Sequence, residues 1–188
     1  RKGSKILIDC GLVQGQHAAE KLNWEPFQYD PATIDTLVVT HAHIDHIGRI
    51  PKLVKDGFKG KVISTVATKA LVEPMLLDAH NLLDHTAKVL KIEPLYSEQD
   101  IDHALKLWDT CGYHEKQELA DDVTLEFYNS GHILGSAMAR FTRKSTEGVQ
   151  GKEGGEKSIV FTGDLGGNNS PLLDPAETLP KTDYLVME

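Results

Sequence analysis

The most reactive side chains of this sequence are concentrated in the stretch THAHIDHIG, from Thr40 to Gly48, which places three histidines and one aspartate within six positions. Imidazole and carboxylate groups together suit Zn²⁺, with Mn²⁺ or Fe²⁺ as alternative occupants. His41 and His43 are two residues apart, so in extended backbone both imidazoles lie on one side and can chelate one metal ion. Asp45 and His46 follow where a strand gives way to a turn, and we expect this second pair to reach a neighbouring metal position.

Further candidate ligands stand at the ends of apolar runs of strand length. Asp9 follows KILI, His132 follows VTLEFYN through a short turn, Asp164 follows SIVFT through a glycine, and Glu188 follows YLVM. Strand ends gather at one edge in layered α/β folds, so one polar cluster is expected there. We predict that His132 is a further metal ligand and that Asp164 is a functional carboxylate. Asp9 is expected to orient one of the metal ligands without binding the metal itself.

The remaining histidines and both cysteines show no metal-ligand spacing. We interpret the histidines as ordinary surface or helix-face residues; they are His17, His80, His85, His103 and His114. Cys10 and Cys111 are far apart and in no CxxC pattern, so the sequence indicates neither a disulfide framework nor a thiolate zinc site. A reducing, cytoplasmic location fits this cysteine usage best.

Composition indicates one globular domain. The chain has 188 residues, of which 40% are hydrophobic and 26% charged, and no apolar run approaches the roughly 20 residues of a membrane-spanning helix, so we expect no membrane partner. The net charge of −8 repels phosphates at long range, which argues against a generic nucleic-acid binder. A nucleic-acid substrate would need a metal, a local basic patch or another domain to hold it.

Seven strands and three helices are expected, in a mixed α/β or α+β domain. Strands are predicted at Lys5–Asp9, Thr36–Thr40, Lys61–Ser64, Val123–Asn129, Ser136–Thr142, Ser158–Thr162 and Tyr184–Met187. Helices are predicted at 49–55, 68–89 and 98–110, the last with Ser97 as N-cap. A break or kink is expected at Pro74, after which Leu76, Leu77, Ala79 and Leu83 should face a core. The Gly-rich stretch 144–157 is expected to be an exposed loop joining two antiparallel strands.

Five motifs together resemble the metallo-β-lactamase superfamily, and within it the β-CASP group of RNA-processing nucleases. In chain order they are ILIDCG, HAHIDH, SGHILGSA, FTGDLG and DYLVME. HxHxDH alone marks the superfamily, whereas SGHILGSA and DYLVME are more discriminating. The segments ATKALVEPMLLDAHNLL and EPLYSEQDIDHAL look like the helical insert that those nucleases carry before the third motif.

The resemblance implies a centre of two Zn²⁺ ions with a bridging hydroxide, in an αββα sandwich with the metals at one edge of two facing sheets. By this match, His41, His43 and His132 bind one zinc, Asp45 and His46 bind the second, and Asp164 bridges both. Asp45 and Asp164 would also position the attacking water and accept its proton. Asp9 matches a supporting aspartate, and Glu188 matches an acidic residue that assists protonation of the leaving group.

Relative to the family, the first strands would lie before Arg1 and the β-CASP cap after Glu188. We therefore expect residues 1–188 to be the N-terminal part of a metallo-β-lactamase-like domain, incomplete at both ends, without the cap that grips single-stranded RNA. One histidine of the second metal would also lie outside the chain, so that site is expected to be weakened.

The predicted function is cleavage of single-stranded RNA by a metal-dependent ribonuclease. Two alternatives stay open. The same metal chemistry serves small-molecule hydrolases of β-lactamase or glyoxalase type, and some members of the group act as non-catalytic scaffolds of RNA-processing complexes. The scaffold is less favoured, because every ligand expected within this range is present.

Overall fold

Two β-sheets form the centre of the structure, a computed structural model that describes residues 3–15, 21–120, 122–144, 155–167 and 171–188. The first sheet is parallel and has the order β1-β2-β3-β4. Its strands are β1 (Ile6–Ile8), β2 (Thr36–Val38), β3 (Lys61–Ser64) and β4 (Trp108–Thr110). Leu37 and Val38 point to opposite faces and are both fully buried, which explains why β2 is a continuous apolar run.

The second sheet has the order β5-β6-β7-β8-β9 and is antiparallel except for the parallel pair β8 and β9. Its strands are β5 (Lys116–Ala120), β6 (Val123–Asn129), β7 (Ala137–Lys144), β8 (Glu156–Phe161) and β9 (Tyr184–Val186). Side chains alternate along β6, where Leu125 and Phe127 are fully buried and their neighbours less so. This alternation turns one face of the sheet towards a core.

The helices pack on one side of the first sheet. They are α1 (Ile44–Ile47), α2 (Ile50–Lys55), α3 (Val66–Leu90) and α4 (Glu98–Lys106), with 3₁₀ turns at Lys21–Asn23 and Pro31–Thr33. One core lies between these helices and the sheet, and includes Val39, Leu53 and Leu76. A second core joins Val38 and Ile63 of the first sheet to Phe127 of the second, so the sheets face each other.

The described layers are therefore helix, sheet, sheet, and the predicted mixed α/β class with two facing sheets is confirmed. All seven predicted strands are present, with shifts of up to two residues at their ends. Strands β4 and β5 and the short helix α1 were not predicted. No helix in the described part of the chain is both long enough and apolar enough to cross a membrane.

The predicted break of α3 at Pro74 and the predicted core position of Leu77 were both wrong, and a kink at Pro74 stays a prediction. The helix continues through Pro74 without a break, since Val72 and Leu76 on either side of the proline are both fully buried and hold the two halves on the same core. Leu77 does not face the core and is 37% exposed, because the buried stripe runs through Val72, Leu76 and Ala79 at helical spacing.

The predicted helix over 98–110 ends early, at Lys106, because Trp108–Thr110 pair with β3 as strand β4. The Trp108 indole N–H donates to Ser64 Oγ at 2.8 Å, which ties β4 to its neighbour. Ser97 is confirmed as the N-cap, in a capping box with Asp100.

The predicted loop 144–157 joins β7 and β8, which are antiparallel as expected. Residues 145–154 lie outside the described part of the chain, and 156–157 already belong to β8.

Candidate metal centre

The predicted ligands converge on one edge shared by the two sheets. Asp9 follows β1 and the THAHIDHIG stretch follows β2, at the carboxyl ends of two parallel strands. From the second sheet, His132 follows β6 and Asp164 follows β8. A hydrogen bond from the Ala137 amide to the Thr40 carbonyl, 2.9 Å long, links the two sheets beside this edge. The expectation of one polar cluster at the strand ends agrees with this geometry.

Four side chains form the first ligand group: His41, His43, His132 and Asp164, whose ligand atoms all lie within 4.8 Å of one another. His43 Nδ1 is 3.1 Å from His41 Nε2 and 3.1 Å from His132 Nε2. Asp164 Oδ2 is 3.2 Å from His132 Nε2 and 3.8 Å from His41 Nε2. Three imidazole nitrogens and one carboxylate oxygen around a common point are a donor set that Zn²⁺ accepts.

A second ligand group contains His46, Asp164 and Glu188. His46 Nε2 lies 3.6 Å from Asp164 Oδ1 and 4.0 Å from Glu188 Oε1. Asp164 thus turns one oxygen towards each group, which is the arrangement expected of a carboxylate bridging two cations.

Asp45 lies on the wall of a cavity beside the second ligand group, and Glu188 lies within that group. Asp45 is exposed and lines the same cavity as His46, but it belongs to neither ligand group, so its role as a ligand stays a prediction. Glu188 was predicted only to assist proton transfer, yet its carboxylate lies within the second group. The available signal was its position two residues after the end of β9, which is parallel to β8 and ends at the same edge as Asp164.

Asp9 supports the imidazole of His46 from behind. Its Oδ2 lies 2.8 Å from His46 Nδ1, and its two oxygens accept hydrogen bonds from the Thr40 amide at 2.8 Å and the Thr40 hydroxyl at 2.7 Å. The Thr40 hydroxyl is also 3.0 Å from His41 Nδ1. These contacts leave the Nε2 atoms of His41 and His46 facing the centre, as metal ligands require. Sequence reasoning did not single out Thr40.

His41 and His46 have pKa shifts in opposite directions. Burial, together with the neighbouring imidazoles of His46, His43 and His132, lowers the pKa of His41 to about 3. Burial also lowers the pKa of His46, but the hydrogen bond and negative charge of Asp9, with Glu188 and Asp45, outweigh it and the net shift is upward. Without a cation, His41 is therefore a neutral ligand at neutral pH.

Two glycines allow the backbone to pass close to the ligands. A Cβ on Gly11 would lie 1.5 Å from the carbonyl oxygen of Asp45, so no other residue fits against the segment that carries Asp45 and His46. Gly163 has a positive φ of 51°, and a Cβ there would meet the Thr40 side chain at 2.7 Å.

A cavity of about 450 Å³ opens beside the second ligand group. We call it the His46 cavity; the polar side chains on its wall include those of Asp9, Tyr29, Asp45, His46, Arg49 and Glu188. It is the space next to the ligands that a substrate could enter.

Five histidines were predicted to be surface or helix-face residues without a metal. Those among them that the structure describes belong to neither ligand group. His114 pairs with Glu177 at 3.1 Å, and His80 stacks on Tyr96. His85 and His103 lie on the helices α3 and α4, and His17 is outside the described residues.

Comparison with known proteins supports the motifs independently of the geometry. Residues 2–150 match the family model described as a metallo-beta-lactamase superfamily domain. Ribonuclease TTHA0252 of Thermus thermophilus is 34% identical over 99% of this chain and 38% of its own length.

Two further relatives come from Methanosarcina mazei and Drosophila melanogaster. The transcription termination factor FttA of Methanosarcina mazei is 34% identical over 98% of this chain and 27% of its own length. The cleavage and polyadenylation specificity factor 73 of Drosophila melanogaster is 31% identical over all of this chain and 25% of its own length.

The chain thus spans between a quarter and two fifths of the length of these relatives. Its motifs, its two facing sheets and its matches lead to one conclusion. The chain belongs to the metallo-β-lactamase superfamily, and the relatives to which it is similar include a ribonuclease and a cleavage and polyadenylation specificity factor.

Proposed function

We propose that this chain is the metal-binding part of a ribonuclease that hydrolyses phosphodiesters of single-stranded RNA. The observation that carries the proposal is the position of Asp164, whose two carboxylate oxygens face two different imidazole groups. The names of the relatives, which include a ribonuclease and a cleavage factor, favour RNA over other substrates.

The donor set fits two divalent cations, and we propose Zn²⁺ for both. His41, His43, His132 and Asp164 would hold the first, and His46, Asp164 and Glu188 the second, with Asp45 within reach on the cavity wall. When bound, the pair of cations would supply charge stabilisation for the phosphodiester and would lower the pKa of a water towards neutrality.

The protein side chains position the reactants and move protons. Asp9 and Thr40 fix the two imidazoles, so that the ligand atoms need little rearrangement. Asp164 and the exposed carboxylate of Asp45 would orient the attacking water and accept its proton. Glu188, whose side chain is 64% exposed, would assist proton delivery to the leaving oxygen.

Residues 1–188 are, in this proposal, the N-terminal part of a metallo-β-lactamase-like domain, and single-stranded RNA is gripped by a β-CASP cap outside this range. The chain's share of its relatives' length supports this division. Two free, buried cysteines fit a reducing compartment, and we propose a cytoplasmic location.

The test offers labelled single-stranded RNA and the lactam nitrocefin in parallel, with zinc and with chelator. We expect zinc-dependent RNA cleavage that Asp164→Asn lowers at least about hundredfold. The amide removes the negative charge and replaces one of the two carboxylate oxygens by an NH2 group, which cannot bind a cation. Asp35→Asn, a matched change away from the centre, should leave cleavage intact. Lactam turnover without RNA cleavage at any zinc loading would instead support the small-molecule hydrolase, and RNA binding without turnover the scaffold.

A further inference from the structure

Arg49 is the permanent cation on the wall of the His46 cavity. Among the described residues that line this cavity, no other lysine or arginine is present, whereas Asp9, Asp45 and Glu188 are acidic. Arg49 follows α1, three residues after His46, and this spacing places it on the wall of the same cavity as the second ligand group.

Among the residues that the structure describes, the Arg49 side chain is held in place by a hydrogen bond and a ring contact and not by an ion pair. Its Nε–H donates to the Gly11 carbonyl at 2.9 Å, and its Cζ lies 5.0 Å from the centroid of the Phe27 ring. In the part of the chain that the structure describes, no carboxylate oxygen lies within 4.0 Å of its guanidinium. By contrast, Lys52, which contacts the same ring, is paired with Asp56.

A fixed guanidinium whose other N–H groups have no hydrogen-bond partner among the described residues is suited to bind an anion. The Nε bond uses one of five donors, and the planar fork of the remaining N–H groups matches the geometry of two phosphate oxygens. Because the ring contact and the Gly11 bond already restrict the side chain, little rotamer entropy remains to be lost when an anion binds.

We propose that Arg49 is a substrate-binding residue that holds a backbone phosphate of RNA next to the scissile one. The inference rests on the proposed function, because that function identifies the bound polyanion as RNA. This role explains why the positive charge of Arg49 stands beside the ligand groups in a chain of net charge −8. The metal ligands would then act on one phosphodiester while Arg49 fixes the register of the strand.

The test compares Arg49→Gln with Arg143→Gln in the 188-residue chain. Arg143 is exposed and does not line the His46 cavity, so its substitution removes the same charge elsewhere. Affinity for a fluorescent single-stranded oligouridylate is measured by anisotropy in EDTA over a range of salt concentrations. Cleavage kinetics, zinc content and melting temperature are measured on the zinc-loaded protein.

We expect Arg49→Gln to raise Kd roughly ten- to hundredfold. The slope of log affinity against log salt should become shallower by about 0.7, the value for one phosphate contact on a single strand. KM should rise with kcat little changed, zinc content should stay constant, and Arg143→Gln should behave as wild type. Equal Kd and equal slope for the two glutamine variants would overturn the proposal.

Arg49→Lys separates binding from a purely structural role. Lysine keeps the charge and loses the fork, so we expect a folded, zinc-replete protein with the wild-type salt slope and weaker RNA binding. Wild-type affinity in this variant would contradict the proposal even if Arg49→Gln fails to fold.

The two proposals can fail separately. RNA binding that depends on Arg49 without any cleavage would overturn the ribonuclease and support the role of Arg49. If the wild type cleaves RNA and Arg49→Gln changes neither KM nor Kd, the role of Arg49 would be overturned and the ribonuclease supported. A chain that binds RNA equally well with and without the Arg49 guanidinium and does not cleave it would overturn both.

Discussion

Asp9 and His46 are 37 residues apart in the chain, yet Asp9 Oδ2 lies 2.8 Å from His46 Nδ1. The contact exists because β1 and β2 are parallel neighbours, with Ile8 opposite Val38, and both strands end at the same edge. Asp9 has a positive φ of 54°, which turns its carboxylate back towards Thr40 and His46. The carboxylate therefore selects the tautomer of His46 that leaves Nε2 free for a cation.

Replacing Asp9 by asparagine should weaken the second metal more than the first. The amide keeps the volume but loses the charge and one acceptor, so we expect about 10- to 100-fold lower affinity for the second Zn²⁺. Zinc titration by isothermal calorimetry resolves the two sites. Asp35→Asn is the control, and equal loss at both sites would contradict the assignment of Asp9 to His46.

Replacing His43 by alanine should abolish zinc binding at the first ligand group. His43 Nδ1 is the atom that lies 3.1 Å from both His41 Nε2 and His132 Nε2, so its removal takes a ligand from the middle of the group. Elemental analysis of zinc per chain measures the effect. His85→Ala, an exposed change on α3, should keep the wild-type content, and unchanged content in His43→Ala would count against the site.

Replacing Gly11 by alanine should destabilise the protein by displacing the segment that carries Asp45 and His46. The added methyl would overlap the Asp45 carbonyl, and overpacking of this kind costs about 1–3 kcal/mol or more. Thermal unfolding followed by circular dichroism should show a melting temperature lower by at least about 2–4 °C. Gly3→Ala, where a methyl meets nothing within 4 Å, should melt as wild type does.

The thiol of Cys10 should be unreactive in the folded protein. It is 5% exposed, and burial raises its pKa to about 12, so at pH 8 only about one molecule in ten thousand carries the thiolate. A Cys111→Ser variant isolates Cys10 for titration with a disulfide reagent. We expect reaction only in denaturant, and rapid stoichiometric reaction of the native protein would show that the site is open.

The secondary structure was predictable wherever the local pattern matched the tertiary environment. β2, β3 and β6 are apolar, β-branched runs that the structure buries, and they lie where the sequence predicted them. Trp108–Thr110 form a strand only because β3 offers an unpaired edge, and Pro74 stays helical only because the core holds both sides of it. Neither condition can be read from neighbouring residues.

The sequence by itself determined the chemistry of the centre. The spacing of His41, His43, Asp45 and His46, and the placement of His132, Asp164 and Glu188 after apolar runs, specify imidazole and carboxylate ligands at strand ends. The type of each ligand and its place at a strand end depend on residue type and on the alternation of side chains along a strand, and both are local features of the sequence.

Only the tertiary structure decided how these groups divide between two sites. Parallel pairing of β8 with β9 brings Glu188 to His46, and the turn after β8 presents the two oxygens of Asp164 to different imidazoles. The same packing brings Arg49 to the cavity wall beside them. Distances of 3–4 Å between residues far apart in the chain depend on sheet register and on turn geometry, and the order of residues does not encode them directly.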